Sequence, residues 1–506
     1  MAAVLLSEKY QADLHGVLNC YDRVIISGNV HPLCYAKGMT GYLYANNIRI
    51  FDFPAFAQGL RDDIRSNAER IAQEHGLEIE FIRKSHSFRK EDRIREILES
   101  RGDHPGLVHI FSVMERCTAY YPWHDKQTHK TFVKSRPGKC LHYYFYFIDE
   151  NLGLCYLRVS TWCPFRLQFY FNGHNWLANR LKQRGVTFEL RDNAFLQIEG
   201  FDLANQLAAQ LDIKALHATL NRYAPQYCPV VTQLGLQYSW SIMQAEYATD
   251  LVFKSQEALQ AFYPHLLETL ILAVKPDDVA TFLGRKLHGN YQGEMGNRFN
   301  ARWLGTRIKH QMGPVTIKMY DKFNIVLRIE TTTNDVSFFK QYRRVHHRDG
   351  TTSTQWAAMK KIIYSLPALR ESLLAANQRY LKFISEVETP EIGVQKLQQL
   401  TETKEENDHR YKGFNLLAEE DASVFRALVR GEFLISGFTN KDLRRHLDKT
   451  SAQVTRLLKR LRVHGLIKKV GRQYKYYLTQ LGRQVVLMLL KLREMVVIPE
   501  LAYAQA

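Results

Sequence analysis

Across 506 residues the chain is 45% hydrophobic, 24% charged and 12% aromatic, a composition that places it among ordinary globular proteins of about three domains. Its formal net charge of +18 favours a polyanionic partner, nucleic acid before any other. No run of eighteen apolar residues occurs, the start lacks a basic, long-apolar leader, and seven cysteines include no CxxC pair; the expectation is a cytoplasmic protein with buried thiols, no membrane partner and no zinc.

Residues 1 to about 120 alternate strand and helix patterns. Val24-Ile25-Ile26, Ile48–Phe51, Leu77–Ile82 and Leu107–Phe111 read as strands, and Gln58–His75 and Arg89–Arg101 have helical periodicity. A hairpin of His142–Ile148 and Cys155–Val159 follows, then a strand at Leu167–Phe171 and a helix at Trp176–Gln183. This predicts an α/β domain over 1–200. Between its elements, Tyr120–Lys126 with His129 and Lys130 forms an aromatic, basic loop that could stack bases, although a surface loop pinned by Trp123 is the commoner arrangement. Asn172-Gly173 supplies a strand-to-helix turn, which makes His174 a capping or core histidine before a catalytic one.

Residues 201–387 read as a helical region with a β-hairpin. Phe262–Val274 is dense enough in apolar residues for a buried helix, residues 301–340 return to strands, and Trp356–Val387 is a long helical stretch. Glu388–Lys412, polar and poor in aromatics, is the expected linker. The remaining residues, 413–506, form a third domain. The whole is an α+β and α/β multidomain chain without internal repeats.

Two constellations could carry chemistry. In the predicted hairpin, Thr316, Lys318, Tyr320, Arg328 and Glu330 share one face, with Lys318 expected opposite Arg328, while Ile317, Met319, Leu327 and Ile329 share the other. Cations would hold a scissile phosphate, Glu330 a metal, and Tyr320 could act as nucleophile. The alternative is a set of cross-strand salt pairs on an exposed sheet face. Tyr320-Asp321-Lys322 with Leu327-Arg328-Ile329-Glu330 resembles the YDK…LRxE strands of some rolling-circle replication initiators. That resemblance implies a nicking tyrosine beside a metal held by a His-hydrophobic-His triplet. No such triplet exists here; the close pair is His346-His347.

The second constellation is Asp22, Glu115 and Asp149, each near a strand end. Together with Glu330 they are the candidate ligands for Mg or Mn, because carboxylates from separate strands can bind the ions used in in-line phosphoryl chemistry. This arrangement is similar to that of RNase H-like nucleases and transposases. Gly289, Gly293 and Gly296 lack the strand–helix context and lysine of a phosphate loop, so no nucleotide cofactor is expected.

The C-terminal residues carry the densest pattern. A helix around Ser423–Arg430 precedes the cap Thr439-Asn440-Lys441-Asp442, and a third helix spans Ser451–His464, with Val454, Leu457, Leu458 and Leu461 on its inner face. Strands Leu466–Val470 and Tyr474–Leu478 flank Gly471-Arg472-Gln473 as a wing. Gln453, Arg456, Lys459 and Arg460 occupy the outer face of the third helix, and Arg462, Lys468, Lys469, Arg472 and Lys475 extend the charge onto the wing. Residues 421–506 hold 17 Lys and Arg against 6 Asp and Glu. Such a helix fits the major groove of DNA better than that of RNA.

Leu457–Leu461, Gly465-Leu466-Ile467, Tyr477-Leu478-Thr479 and Gly482-Arg483 resemble MarR-like winged helix-turn-helix domains. Gly138–Phe145, Tyr170–Ala178, Gly305–Lys322 and Asn440–Arg445 are similar to segments of a bacterial protein group labelled MarR-type. The leading expectation is a DNA-binding protein of mobile-element or replication type with a metal-dependent, phosphodiester-processing body. A non-catalytic MarR-like regulator, for which the resemblance implies a homodimer, is the first alternative. An RNA-binding protein is the second.

Overall fold

The computed structural model describes residues 5–503 apart from 84–87, 265, 268–269, 271–273, 275, 286–294, 303–304, 389–396, 416 and 471–473. They form two units, Met1–Glu388 and Thr389–Ala506, each with its own apolar core. No helix among the described residues is long and apolar enough to cross a membrane.

The first unit is organised on one sheet of eleven strands. In chain order these are β1 (Leu14–Asn29), β2 (Ile79–Phe81), β3 (Gly106–Asp125), β4 (Lys130–Asp149), β5 (Gly153–Ser160) and β6 (Leu167–Asn172). After a separate hairpin, β7 (Phe188–Arg191) and β8 (Ala194–Ile198), come β9 (Ser239–Phe253), β10 (Met295–Arg302), β11 (Gly305–Met312), β12 (Val315–Lys322) and β13 (Val326–Thr333). Their spatial order is β10-β11-β12-β13-β9-β1-β6-β5-β4-β3-β2, antiparallel except for β2 on β3. The helices that frame the site are α1 (Phe53–Glu74), α2 (Lys90–Arg101), α3 (Gly173–Gln183), α4 (Phe201–Ala208), α5 (Ile213–Tyr227) and α6 (Leu366–Glu388).

Alternation along the strands separates two unlike faces. One carries buried Ile317, Met319, Ile329, Leu251, Val24, Phe145 and Phe147. Helices cover it. Asn377 of α6 donates to the Tyr247 carbonyl at 3.0 Å and accepts from Thr331 Oγ1 at 2.6 Å, and the Phe145 ring stacks 4.5 Å from Tyr227 of α5. The other face carries Lys318, Tyr320, Arg328, Glu330, Glu246, Asp250 and, farther along, Asn172, Tyr170 and Tyr156. Where β6 ends, Asn205 of α4 satisfies the open edge of β1, accepting from Asn19 N and donating to the Val17 carbonyl, both at 2.8 Å.

The boundary expected at residue 200 falls inside this sheet. β1 is bonded to β6 on one side and to β9 on the other, so residues 1–200 and 201–387 share one body. Strand β9 escapes the sequence reading because both its faces are buried, one of them against charged groups, which erases the polar/apolar alternation. Ile50–Asp52 is a 3-10 turn rather than a strand, and Thr352–Ala358 is a strand that precedes α6 rather than its first turns. The expected helix over Phe262–Val274 includes residues outside those described.

In the second unit the expected linker is structured. Residues 397–401 are helical with Leu400 in the core, and β16 (Lys404–Glu406) pairs with β17 (His409–Tyr411). Then follow α7 (Glu419–Leu428), α8 (Asn440–Arg444), α9 (Ser451–Val463), the pair β18 (Ile467–Lys469) and β19 (Tyr476–Leu478), and α10 (Gln480–Leu492). Reciprocal capping boxes, Thr439 with Asp442 and Thr450 with Gln453, open α8 and α9.

Candidate functional site

The site begins at a backbone irregularity. Between Tyr21 and Val24, β1 bulges against β9, so Asp22 and Arg23 face Glu246 out of register. A bulge re-aims side chains, and here it delivers Asp22 to the polar face. Next to it, α3 starts hard against β1: a Cβ on Gly173 would lie 2.1 Å from the Tyr21 carbonyl, so only glycine fits. Asn172 caps this helix, accepting from His174 N at 2.8 Å, and its amide donates to Asp22 at 3.1 Å.

Arg328 is the centre of the cluster. It is completely buried and makes a two-pronged bond to Asp250, at 2.7 and 2.6 Å. It also donates to the Asn193 carbonyl in the β7–β8 turn at 2.6 Å, and its Nη1 lies 3.5 Å from Asp22. His174 Nε2 lies 3.3 Å from Arg328 Nη2, and its Nδ1 lies 3.2 Å from Asp22 Oδ1. Neither His174 Nδ1 nor Arg328 Nη1 completes a hydrogen bond, despite those short separations. Asn193 donates to Asp22 at 2.5 Å. Burial pushes the Asp22 and Asp250 carboxyls up, but Arg328 and then His174 outweigh it and hold both below the usual range.

A second row lies beside the first. Glu330 accepts from Lys318 Nζ at 2.5 Å and from the Tyr320 hydroxyl at 2.7 Å. Glu246 has weaker company, with Lys318 at 3.8 Å and Arg23 at 4.0 Å. Burial and then the Glu330 charge push its carboxyl up to about 7 against the pull of Lys318. Burial and then Glu330 also raise the Tyr320 hydroxyl well above its ordinary value. Burial, then Arg328, lowers the Lys322 ammonium to about 8.

Asp22, Glu246 and Glu330, from β1, β9 and β13, each bring an oxygen within 4.8 Å of the others. An all-carboxylate donor set suits a hard divalent cation such as Mg or Mn. Asp22, Asp250, Glu246 and Glu330 share this face with Arg328, Lys318, Arg23 and Lys322, and Glu246, with Lys318 at 3.8 Å and Arg23 at 4.0 Å, is the carboxyl that burial and the Glu330 charge raise. A cavity of about 440 Å³, lined by Asp22, Arg23, Tyr156, Tyr170 and Asn193, opens the Asp22 end to solvent.

The structure therefore unites Asp22, Lys318, Tyr320, Arg328 and Glu330, but not Glu115 or Asp149. Glu115 on β3 is tied to Arg158 at 2.8 Å and Tyr144 at 2.9 Å. Asp149 closes the β4–β5 turn, accepting from Asn151 N and Leu152 N at 3.0 Å and from Arg222 and Tyr223 at 2.8 Å. Both lie along β3–β5, strands away from β9 and β13 in the sheet order, so their expected place as metal ligands is corrected. The register is corrected as well: Lys318 pairs with Glu330 and Tyr320 with Arg328, two residues from the expected alignment, which keeps every side chain on its face. Glu246 and Asp250 escaped sequence reasoning together with β9. His174 lies in the cluster as well as at the cap.

In the second unit the outer face of α9 is partly occupied. Arg460 turns inward, bonded to Asp421 at 3.0 and 3.1 Å and to the Lys412 and Gly413 carbonyls, its guanidinium 3.9 Å over the Phe414 ring. It is a clamp, not a base reader. Glu406 of β16 pairs with Lys459 and, at 3.0 Å, with Arg462. Gln453 spends Oε1 on Thr450 N at 2.7 Å. Arg456, Lys468 and Lys469 are exposed, Lys475 is half-buried, and Arg472 lies outside the described residues. Compared with known protein families, curated proteins and solved structures, the chain matches none.

Proposed function

We propose that the protein binds nucleic acid, DNA foremost, through its second unit and processes phosphodiester bonds with a divalent cation held by Asp22, Glu246 and Glu330. The observation that carries this reading is the approach of three carboxylates from three strands to within 4.8 Å, where burial and the Glu330 charge push the Glu246 carboxyl up. Helix α8, a turn, helix α9 and the β18–β19 pair follow in the order a winged helix-turn-helix requires, which supports the MarR-like resemblance. Arg456 on α9 and Lys468 and Lys469 on β18 are exposed cations that would meet DNA, whereas exposed Arg462 is paired with Glu406.

A bound Mg or Mn would polarise the phosphate and supply an activated water. Around it, Lys318 and Arg23 would hold the phosphate charge, and Arg328 would fix Asp22 and Asp250. Tyr320 is better suited to hold Glu330 than to attack, since its hydroxyl stays protonated and donates to that carboxylate. The nucleophile would then be water, unlike that of the replication initiators. A second reading, a non-catalytic regulator, is favoured by the internal pairing of Lys318 with Glu330 and Arg328 with Asp250.

Incubating labelled single- and double-stranded DNA and RNA with the protein and Mn²⁺ tests the choice. Cleavage lost in Glu246→Gln and Glu330→Gln supports the catalytic reading. Cleavage unaffected by both removes the site, and no cleavage of any substrate, with no Mn²⁺ binding by calorimetry, leaves the regulator.

A further inference from the structure

After β13 the chain leaves the large sheet and runs out and back as a ribbon, β14 (Lys340–His346) with β15 (Thr352–Ala358), which joins no other strand among the described residues. Strand alternation puts Lys340, Tyr342, Arg344 and His346 on one face, and Tyr342 stands directly opposite Trp356. Their ring centroids are 5.9 Å apart, yet Tyr342 is 61% and Trp356 67% exposed. A cross-strand pair helps to hold the hairpin, but rings of this size left mostly in water also form the kind of exposed aromatic patch that marks a binding surface.

The surroundings specify its charge. Residues 340–361 hold six Lys and Arg against Asp349 alone. Arg343 and Arg344 donate to carbonyls and to Thr352 Oγ1, and among the described residues neither pairs with a carboxylate. At the base of the ribbon, Tyr342 and Trp356 line a cavity of about 670 Å³ together with Lys340, Arg285 and Arg379, with Glu371 as its single carboxylate. Flat rings between cations, at strand spacing, fit a ligand that presents π-faces and phosphates in alternation.

We propose that this face binds an unpaired nucleic-acid strand, its bases stacked on Tyr342 and Trp356 and its phosphates met by Lys340, Arg344 and Arg285. A duplex keeps the faces of its bases inside and would leave the rings unused, whereas a single strand exposes them. The inference rests on the reading that this protein handles nucleic acid, and it adds the substrate class: DNA or RNA with a single-stranded segment.

The test uses the full-length protein, a labelled oligothymidine and a labelled duplex of equal length, with affinity read by anisotropy. Tyr342→Ala or Trp356→Ala should each weaken oligothymidine binding roughly tenfold and the double variant roughly a hundredfold, with duplex binding changed less than about twofold. Trp356→Phe, which keeps a ring, should restore most of the affinity. Unchanged oligothymidine binding in the double variant overturns the proposal. So does a wild type that binds duplex only, which leaves the second unit's role standing; a wild type that binds neither polymer overturns both. A wild-type dimer in sedimentation that Trp356→Ala makes monomeric, with oligothymidine binding intact, would make the face a self-contact instead.

Discussion

Glu246 shows how burial and like charge act on one side chain. Its carboxyl, pushed up to about 7 by burial and by Glu330, binds a proton in the folded state that the unfolded chain releases near 4.5. Folding is thus penalised progressively as pH rises from 4.5 through 7. Glu246→Gln should leave stability nearly unchanged near pH 4.5 and raise it at pH 8, by about 3 kcal/mol at most, measurable by urea titration at the two pH values. Mn²⁺ at pH 8 should raise the wild-type Tm and not that of the variant. The reverse logic applies to Arg328. With Asp250 and Asp22 leaning on it, Arg328→Gln strands two buried carboxylates and should cost about 3–5 kcal/mol; a midpoint shift under about 1 kcal/mol would mean that the network carries little of the fold. Four residues of this cluster, Lys318, Tyr320, Arg328 and Glu330, were legible from strand alternation alone, because even an alignment error of two preserves the face. Asp22 was legible only as one acid among many, since nothing in the sequence marks a bulge.

At the scale of elements, the capped helices and the β12–β13 pair were readable, because a cap and a period-two pattern are local. Strand β9 was not, and its Glu246 and Asp250 vanished with it. Polar side chains that are buried only by long-range contacts look exposed in a sequence. The β16–β17 hairpin was mistaken for a linker for the opposite reason: its charged residues are exposed or half-buried, yet Glu406 packs against α9. Two arginines four residues apart on α9 therefore separate by experiment. Arg460→Ala should lower the Tm of the second unit, having lost Asp421, two carbonyls and the Phe414 ring. Arg456→Ala should leave Tm unchanged, weaken duplex binding and reduce the salt slope by about one. Equal Tm values for the two variants would remove the distinction.

For the molecule as a whole, two cores mean two separable stabilities. Residues 1–388 expressed alone should retain the Mn²⁺-dependent rise in Tm while losing salt-sensitive duplex binding, and calorimetry with anisotropy would check both. Loss of Mn²⁺ stabilisation in that fragment would show that the carboxylate site depends on the second unit. Charge and composition raise the expectation of a polyanion partner but could not say that the body is built on one sheet drawing strands from residue 14 to 333, since pairing β1 with β9 spans more than two hundred residues and leaves no local trace.

Glu406 bears on the proposed binding of duplex DNA. A carboxylate seated on Lys459 and Arg462 mimics the phosphate those side chains would meet, so any duplex reaching α9 must first evict a tethered rival. Glu406→Gln should accordingly tighten duplex binding several-fold and steepen its response to salt, because two more cations would then trade small ions for the polymer. Tighter binding without the steeper slope would locate the gain elsewhere.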